Sequence, residues 1–499
     1  MGTISDLDKL KMMIIQSVES NDFETALRLI TDFVTDVVRD RRAVVNVLAS
    51  EELDELCKHI GKKSIELNPE ITQGIGEVQE NTVIYIVTEL YNTGGHSAVI
   101  EDFIACQPDK NHIILATDIL EQFNINNVED RYCHPSVILE QAPNSGLYPK
   151  LRWLQQKLIQ HSPSQIFLIN HHQDAVAIAA IYLDIDSQIV FYHHADHQLC
   201  LGVYLSNVIH VDPHPQGFYN CRNQLGIKNN FYLPLSAKDF GCVPASERKF
   251  MASGSIKTCS SGNQHKFEQE YRYNYSEIIP RILQETKGSH IHIGPLSETT
   301  LAKIRDGLQN YGLQSKNFVH IPWVKSVWST LREQDVDLYL ESFPLGGGKT
   351  AIEVMGAGIP IIGHQNYKSR LLCCFDINYP EALFWRKPSE LYEILSTITP
   401  EFLKEQSLYA RRHYERFHSF DATSQQFSAI CNGKMVYEPP PFKNYQLDPL
   451  QAFIDHKKTH DNIILQLQSD ITGMESSFFW KIRNQWFMLK ELFGLVKNE

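Results

Sequence analysis

The sequence is short of the features that mark membrane, secreted or nucleic-acid-binding proteins. Among its 499 residues, no run approaches the roughly 20 apolar residues that a membrane-spanning helix needs. The start, MGTISDLDKLKMM, carries acidic residues and lacks a long apolar region, which argues against a signal peptide. The formal net charge is −13, whereas a nucleic-acid partner would require clustered Lys and Arg. We therefore expect a cytoplasmic globular protein that does not bind nucleic acid.

The sequence also lacks the cysteine spacing of a disulfide framework or a zinc ribbon. Its ten cysteines contain no C-x-x-C pair, and the one close pair, Cys373–Cys374, consists of adjacent residues that rarely form a disulfide. This pattern indicates reduced, mostly buried thiols. We expect no zinc site built on cysteine, no other metal ion and no cofactor.

The most unusual stretch that is present is ESFPLGGGKTAIEVMGAGIPIIG, residues 341–363. Its GKT ending resembles the P-loop of ATPases, G-x-x-x-x-G-K-[ST], but Phe343 occupies the position of the first glycine. Phe cannot replace a glycine that serves a tight turn around phosphate, so the spacing disfavours a P-loop. The stretch still predicts a strand, a glycine turn and the start of a helix. Free amides and the helix dipole favour an anion at such a place.

We expect this turn to bind a diphosphate. Gly346, Gly347 and Gly348 would offer backbone amides, Lys349 a positive charge and Thr350 a hydroxyl group. The alternative is a tight turn with a solvated lysine.

Periodicity divides the chain into four regions. Residues 1–75 carry apolar residues at three- and four-residue spacing, which predicts helices. Strands alternate with helices in two further regions, 76–240 and 247–432, separated by a stretch without periodicity. Residues 433–499 form a proline-rich joint and a last amphipathic helix. The alternation predicts two Rossmann-like domains, each with a doubly wound parallel sheet, facing a cleft.

Polar segments follow several predicted strands at the carboxyl edge, where ligands of such sheets bind. They are GGH ending at His96, the pair His171–His172, HHADH at residues 193–197, and PLGGGKT. Side chains alternate along a strand, so only one of His193 and His194 can face the cleft.

The glycine pair Gly94–Gly95 and the pattern E-x-x-x-x-G-x-P-[IV]-[IV], from Glu353 to Ile362, resemble the GT-B glycosyltransferases. The stretch ESFPLGGGKTAIEVMGAGIPII is similar to the protein O-GlcNAc transferase family and its bacterial asparagine-glucosylating relatives. HIHIGPLSE and HHADHQLCLGV are similar to segments of bacterial polysaccharide glycosyltransferases. The resemblance spans residues 83–418 and implies the GT-B fold, here with an N-terminal helical region and a C-terminal helical tail.

The resemblance also implies an activity. A sugar would move from a nucleotide-diphosphate sugar, most simply a UDP-sugar, to a hydroxyl or amide of a glycan, lipid-linked or protein acceptor, without a metal ion. Retaining GT-B families usually carry two glutamates; Glu353 fits the second, and Leu345 stands at the first, which favours inversion. A nucleotide-sugar epimerase of the same fold and a non-catalytic sugar-nucleotide scaffold remain as alternatives.

The resemblance implies donor contacts beyond the glycine turn. Glu353 would accept hydrogen bonds from the ribose hydroxyls, which suits a carboxylate because it only accepts. Lys266, or Lys257 beside Gly254, would contact the nucleotide phosphates, and Trp323 the base. The alternatives are an exposed glutamate, exposed lysines and a core tryptophan.

Four residues are candidates for catalysis. His96 opens the helix that follows the first glycine turn and could accept a proton near neutral pH. His194 could do the same, with Asp196 orienting a histidine as in proton-transfer triads. His194 and His197 could instead bind a metal ion, but no further ligand is evident in the sequence.

The last segment, MESSFFWKIRNQWFMLKELFGLV, is strongly apolar with interspersed Lys and Arg. It predicts a helix that binds the inner membrane face peripherally, makes a dimer contact, or docks across a domain. Periodicity does not distinguish these partners.

Overall fold

The computed structural model describes residues 6–40, 43, 46–74, 76–92, 95–183, 185–366, 375–441 and 463–469. The chain divides into one unit of residues 13–447 and another that combines residues 1–12 with 448–499. In the second unit, residues 463–469 are helical and exposed, and the predicted amphipathic segment from residue 474 onward lies outside the described residues. Within the described ranges, every helix is too short or too polar to span a lipid bilayer.

The N-terminal region is helical, as predicted. Its helices are α1 (Asp6–Glu19), α2 (Phe23–Arg39) and α3 (Glu51–Leu67). Two of these helices have side-chain N-caps: the Asp22 side chain accepts from the Thr25 amide, and the Ser50 hydroxyl accepts from the Leu53 amide.

In the described residues, the first α/β domain of the larger unit has a seven-stranded sheet and four α-helices that follow its strands in the chain. The strands are β1 (Gln79–Val87), β2 (Asn111–Ala116), β3 (Val137–Gln141), β4 (Pro163–Ile169), β5 (Gln188–Tyr192), β6 (Ile209–Asp212) and β7 (Asn230–Tyr232). The helices are α4 (Gly95–Cys106), α5 (Leu147–His161), α6 (Ala175–Ala180) and α7 (Pro215–Asn223). All neighbouring strands are parallel, in the order β3-β2-β1-β4-β5-β6-β7.

Helices α2 and α3 pack against this domain. The Glu24 carboxylate accepts from the Tyr148 amide at 2.8 Å and so caps α5, which begins at a glycine without a capping side chain. The Ser64 hydroxyl donates to Gln155 at 3.0 Å. These contacts make the helical region part of the first domain's surface.

The second α/β domain contains six strands. They are β8 (Lys257–Ser261), β9 (Ser289–Ile293), β10 (Phe318–Ile321), β11 (Leu338–Leu340), β12 (Ile361–His364) and β13 (Leu383–Trp385). Its helices are α8 (Tyr275–Thr286), α9 (Glu298–Asn310), α10 (Val327–Glu333), α11 (Gly348–Gly356), α12 (Pro388–Thr397) and α13 (Pro400–His413), and helix α14 (Phe420–Cys431) follows them in the chain. This sheet is also parallel, in the order β10-β9-β8-β11-β12-β13.

The domain prediction differs from the structure in two places. The second α/β region was predicted to begin at residue 247, but residues 249–254 (KFMASG) lie in turns and bends, and the first strand of this domain begins at Lys257. Helix α14 was assigned to the second domain, but Phe427 and Ile430 belong to the hydrophobic core of the first. The chain therefore returns to its first domain after the second is complete.

Each sheet reverses its strand order once, between β1 and β4 and between β8 and β11. At such a reversal the connections leave on opposite faces, and a crevice opens at the carboxyl ends of the two strands. The candidate residues follow β1 and β4 in the first domain and β8 and β11 in the second.

Candidate functional site

The glycine turn lies between β11 and α11. Helix α11 has Gly347 as its N-cap, with no side chain capping it among the described residues, and its first helical hydrogen bond runs from the Ala351 amide to the Gly347 carbonyl at 2.9 Å. The amides of the first turn, Gly348 to Thr350, therefore have no acceptor inside the helix. They stand at the positive end of the helix dipole, which suits an anion.

Lys266 is the cation at this turn. It lies on a short helical turn that follows β8, and its Nζ donates to the Gly346 carbonyl at 2.8 Å. A Cβ added at Gly347 would come within 2.9 Å of the same Nζ, so the lysine and the turn are closely fitted. The structure thus brings together Lys266 and Gly346–Gly348, which the sequence had proposed separately.

Lys349 has a different partner from the one expected. Its Nζ lies 3.0 Å from Asp102 Oδ2 on α4, and the Ser236 hydroxyl donates to the same oxygen at 2.8 Å. Both charged side chains are about a fifth to a quarter exposed, at 22% and 24%. In this conformation Lys349 joins the two α/β domains by an ion pair instead of standing free beside a ligand.

Gly95, at the start of α4, lies close to α11. A Cβ added at Gly95, the first residue of α4, would lie 3.9 Å from Lys349 Cβ. Gly94, the other half of the predicted pair, lies outside the described residues. The starts of α4 and α11 therefore meet across the space between the domains.

Three histidines gather beside this meeting point. His96 lies on α4, His171 follows β4 and His194 follows β5, and one ring nitrogen from each lies within 4.8 Å of those of the other two. The ring centroids are 4.5 Å apart for His96 and His194, 5.3 Å for His96 and His171, and 5.9 Å for His171 and His194. The sequence had placed His96 and His194 near one site.

The tautomer of His96 follows from its one hydrogen bond. Its Nε2 lies 3.0 Å from the Ile169 carbonyl oxygen, which can only accept, so Nε2 carries the proton. Its Nδ1 is then the basic nitrogen, buried and without a hydrogen-bond partner in the described part of the chain. Burial and the neighbouring His171 lower the pKa of His96 to about 4, so the ring is neutral at pH 7.

Glu89 and Tyr91 complete the histidine group, and the sequence interpretation missed both. Glu89 Oε1 lies 3.7 Å from His171 Nδ1, and the Tyr91 hydroxyl donates to the same Glu89 oxygen. The Tyr91 ring stacks on His171. Burial lowers the pKa of His171 to about 4 and holds the pKa of His194 well below its usual range, with His96 and His171 adding to the second effect. The sequence could have identified Glu89, because it stands just beyond the end of β1, at the edge of the sheet where ligands bind.

Asp196 was expected to orient a histidine, and its histidine partner in the structure is His214. Both Asp196 oxygens accept from His214 Nδ1, at 2.9 and 3.0 Å, and not from His194. Burial alone would lower the pKa of His214, but the Asp196 carboxylate raises it to about 9. His197 stands 4.0 Å from Asp196 and packs edge-on against His172, outside the three-histidine group.

Three predicted donor contacts lie away from the glycine turn. Lys257 is the first residue of β8 and donates to the Gln334 carbonyl at 2.7 Å, and Gly254 precedes it in a turn with φ of 81°. Both are at the amino edge of the sheet, opposite the edge that carries the glycine turn. Trp323 follows the edge strand β10 and is 71% exposed.

Glu353 lies in α11, beyond the glycine turn, and is half-buried. Its pKa is raised because burial outweighs the opposing effects of Lys349 and of the Trp328 backbone.

Comparison with known proteins shows the fold. No protein-family model and no curated protein sequence matches the chain. Among solved structures, the apo lipopolysaccharide outer core galactosyltransferase WaaB matches with 14% identity, a TM-score of 0.52 and coverage of 70% of this chain and 99% of its own. Anabaena Alr3699/HepE in complex with UDP matches with 10% identity and a TM-score of 0.51, and TarM with 9% and 0.50, both at the same coverage of 70% and 99%.

These identities are too low to transfer a substrate, but the similarity extends over both α/β domains of the larger unit. Two parallel sheets, each with a strand-order reversal, carry polar residues at their carboxyl edges. The chain therefore has the GT-B fold of nucleotide-sugar-dependent glycosyltransferases.

Proposed function

We propose that the protein is a glycosyltransferase that uses a nucleotide-diphosphate sugar, a UDP-sugar in the simplest case. The main support for this proposal is the position of the Lys266 ammonium, which lies 2.8 Å from Gly346 O. It stands beside the first turn of α11, whose amides have no acceptor inside the helix. A cation beside free amides is the chemistry that a diphosphate requires. The fold shared with HepE, whose structure was solved in complex with UDP, supports the choice of nucleotide.

In the proposed reaction the leaving group is the nucleoside diphosphate. Its developing negative charge is stabilised by the amides of Gly348 to Thr350 and by Lys266, which are already oriented before the reaction begins. Glu353 accepts hydrogen bonds from the ribose hydroxyls. We propose that no divalent ion assists at the diphosphate; turnover that rises with added magnesium would contradict this point.

The acceptor is proposed to bind on the histidine side of the cleft. Its hydroxyl or amide attacks the anomeric carbon, the bond from that carbon to the diphosphate oxygen breaks, and the acceptor proton moves to His96 Nδ1. That nitrogen carries a free lone pair because Nε2 is protonated and bonded to Ile169 O. A base with a pKa of about 4 is weak, so proton transfer would accompany bond formation to the sugar. Direct attack inverts the anomeric configuration.

The contact between Lys349 and Asp102 is proposed to hold the two domains in a closed arrangement. Closure would exclude water from the activated sugar and limit hydrolysis. Acceptors consistent with this proposal are glycans, lipid-linked sugars and proteins in the cytoplasm, so surface-polysaccharide synthesis or protein glycosylation would be the process served.

The experiment is a thermal-shift panel of nucleotide sugars, followed by detection of released UDP with candidate acceptors. We expect His96→Asn to keep UDP-sugar affinity and to lower turnover by about 10²- to 10⁴-fold, the usual contribution of a general base. The exposed His134→Asn serves as the matched control and should match the wild type. Undiminished turnover in His96→Asn would show that His96 is not the general base. Binding without turnover in the wild type would favour the scaffold, and sugar interconversion without acceptor would favour the epimerase.

A further inference from the structure

A second group of metal-ligand side chains lies inside the first domain, separate from the cleft histidines. We call it the β5–β6–α7 cluster; its members are His193 after β5, His210 and Asp212 in β6, and Cys221 in α7. All four are buried, with at most 3% of any residue exposed. His193 and His194 lie on opposite sides of the end of β5, so the cluster lies behind the cleft histidines.

The four ligand atoms are close to one another. Asp212 Oδ1 lies 3.1 Å from His193 Nδ1, 3.2 Å from His210 Nε2 and 3.3 Å from Cys221 Sγ. Cys221 Sγ lies 3.5 Å from His193 Nδ1. One atom from each residue lies within 4.8 Å of the other three.

Hydrogen bonding alone explains this arrangement poorly. Three hydrogen atoms, from His193, His210 and Cys221, would have to converge on the single oxygen Oδ1, which has two lone pairs. Both imidazole distances lie at the long end of the ordinary N–H···O range of about 2.7–3.2 Å. The other oxygen of Asp212 is already engaged, because Asn230 Nδ2 donates to it at 2.7 Å.

A tetrahedral ion explains the distances better. Zinc binds imidazole nitrogen and carboxylate oxygen at about 2.0–2.2 Å and thiolate sulfur at about 2.3 Å, so neighbouring ligand atoms are about 3.3 Å apart, or about 3.5–3.6 Å when one is sulfur. The four measured distances, 3.1 to 3.5 Å, lie close to these tetrahedral edges. Two neutral imidazoles, a carboxylate and a thiolate also balance the charge of a divalent ion.

We propose that the β5–β6–α7 cluster binds one zinc ion with a structural role. Four protein ligands close the coordination sphere and leave no position for substrate, which separates this site from a catalytic one. The hydrogen bond from Asn230 turns Asp212 so that Oδ1 faces the cluster, as outer-shell partners of metal ligands do. The ion ties β5 and β6 to α7 directly behind His194. Cysteine spacing could not indicate this site, because the site contains one cysteine and its other ligands come from different strands.

The first test is the metal content of the purified full-length protein, measured by elemental mass spectrometry after incubation with zinc and removal of the excess. We expect about one tightly held zinc per chain in the wild type and its loss in Cys221→Ser. Cys259→Ser is the matched control, because Cys259 is equally buried but lies in β8 of the other domain; it should keep the zinc. Wild-type protein without stoichiometric zinc would overturn the assignment, whether or not Cys221→Ser folds.

The second test determines which residues bind the ion. Replacement by cobalt(II) should give a thiolate-to-cobalt charge-transfer band in the wild type and in Cys259→Ser, because only Cys221 supplies the sulfur. His171→Ala, which disrupts the cleft histidines, should keep both the zinc and the band. Zinc that disappears with His171→Ala but remains in Cys221→Ser would place the ion in the cleft and overturn the proposal.

Discussion

Replacing Lys266 with Met should weaken UDP binding far more than the same change at two other lysines that the sequence had proposed. Met keeps most of the length of the side chain and removes its charged, hydrogen-bonding ammonium group. Lys266 stands at the glycine turn, Lys349 is held by Asp102, and Lys257 lies at the opposite edge of the sheet. The three variants thus make one chemical change in three electrostatic settings.

The expected magnitudes differ accordingly. A hydrogen bond to a charged group contributes about 1.5–3 kcal/mol. At about 1.4 kcal/mol per tenfold, Lys266→Met should raise the Kd for UDP by about tenfold to 150-fold. Lys349→Met removes a partly exposed ion pair worth about 0.2–1 kcal/mol, which corresponds to less than about fivefold. Lys257→Met should leave the Kd unchanged.

The assay is isothermal titration calorimetry with UDP at fixed ionic strength, with thermal unfolding to show that each variant folds. The salt dependence of the Kd should also become weaker in Lys266→Met, because a positive charge near the phosphates has been removed. A Kd for Lys266→Met within about twofold of the wild type would refute the phosphate assignment, since even a weak charged contact exceeds that change. An equal loss of UDP affinity in Lys257→Met would show that the effect comes from the protein's net charge and not from a contact with the phosphates.

Two further predictions concern stability. A Cβ at Gly61 in α3 would lie 2.0 Å from Ala179 O, so we expect Gly61→Ala to cost about 1–3 kcal/mol from overpacking, despite a gain of up to about 1 kcal/mol in helix propensity. The thermal midpoint should fall relative to the exposed control Lys62→Ala, and an unchanged midpoint would contradict the close packing. His214 has a pKa raised to about 9 by Asp196, so its stabilisation is full below its usual value of about 6.5 and disappears as pH rises through 9. Urea unfolding should therefore show wild type more stable than Asp196→Asn at pH 6 and a smaller difference at pH 10; a constant difference would contradict the pairing.

Much of the fold could be predicted because it depends on local pattern. Strands such as β1, β4 and β5 are short apolar runs separated by helical periodicity, which suffices to predict parallel α/β domains. The glycine turn before α11 was predictable for the same reason, since three consecutive glycines between a strand and a helix have few other uses. The N-caps Asp22 and Ser50 needed only their neighbours in the chain.

The failures concern partners that are distant in the chain. Asp196 was expected to orient a histidine, but local sequence could not name the partner, which is His214, 18 residues further along the chain. Lys349 was expected to be free for a ligand, but Asp102 from the other domain holds it. The sequence of helix α14 does not indicate which core it joins, because the residues of the first domain that it packs against are distant in the chain.

The amino-acid sequence by itself determined the two-domain parallel architecture and the place of the glycine turn, because backbone sterics and side-chain periodicity act over a few residues. Only the tertiary structure decided that Lys266 is the cation at that turn, and that two histidines, an aspartate and a cysteine meet behind the cleft. Those encounters depend on the order of strands in the sheets, which brings together side chains that no local pattern relates.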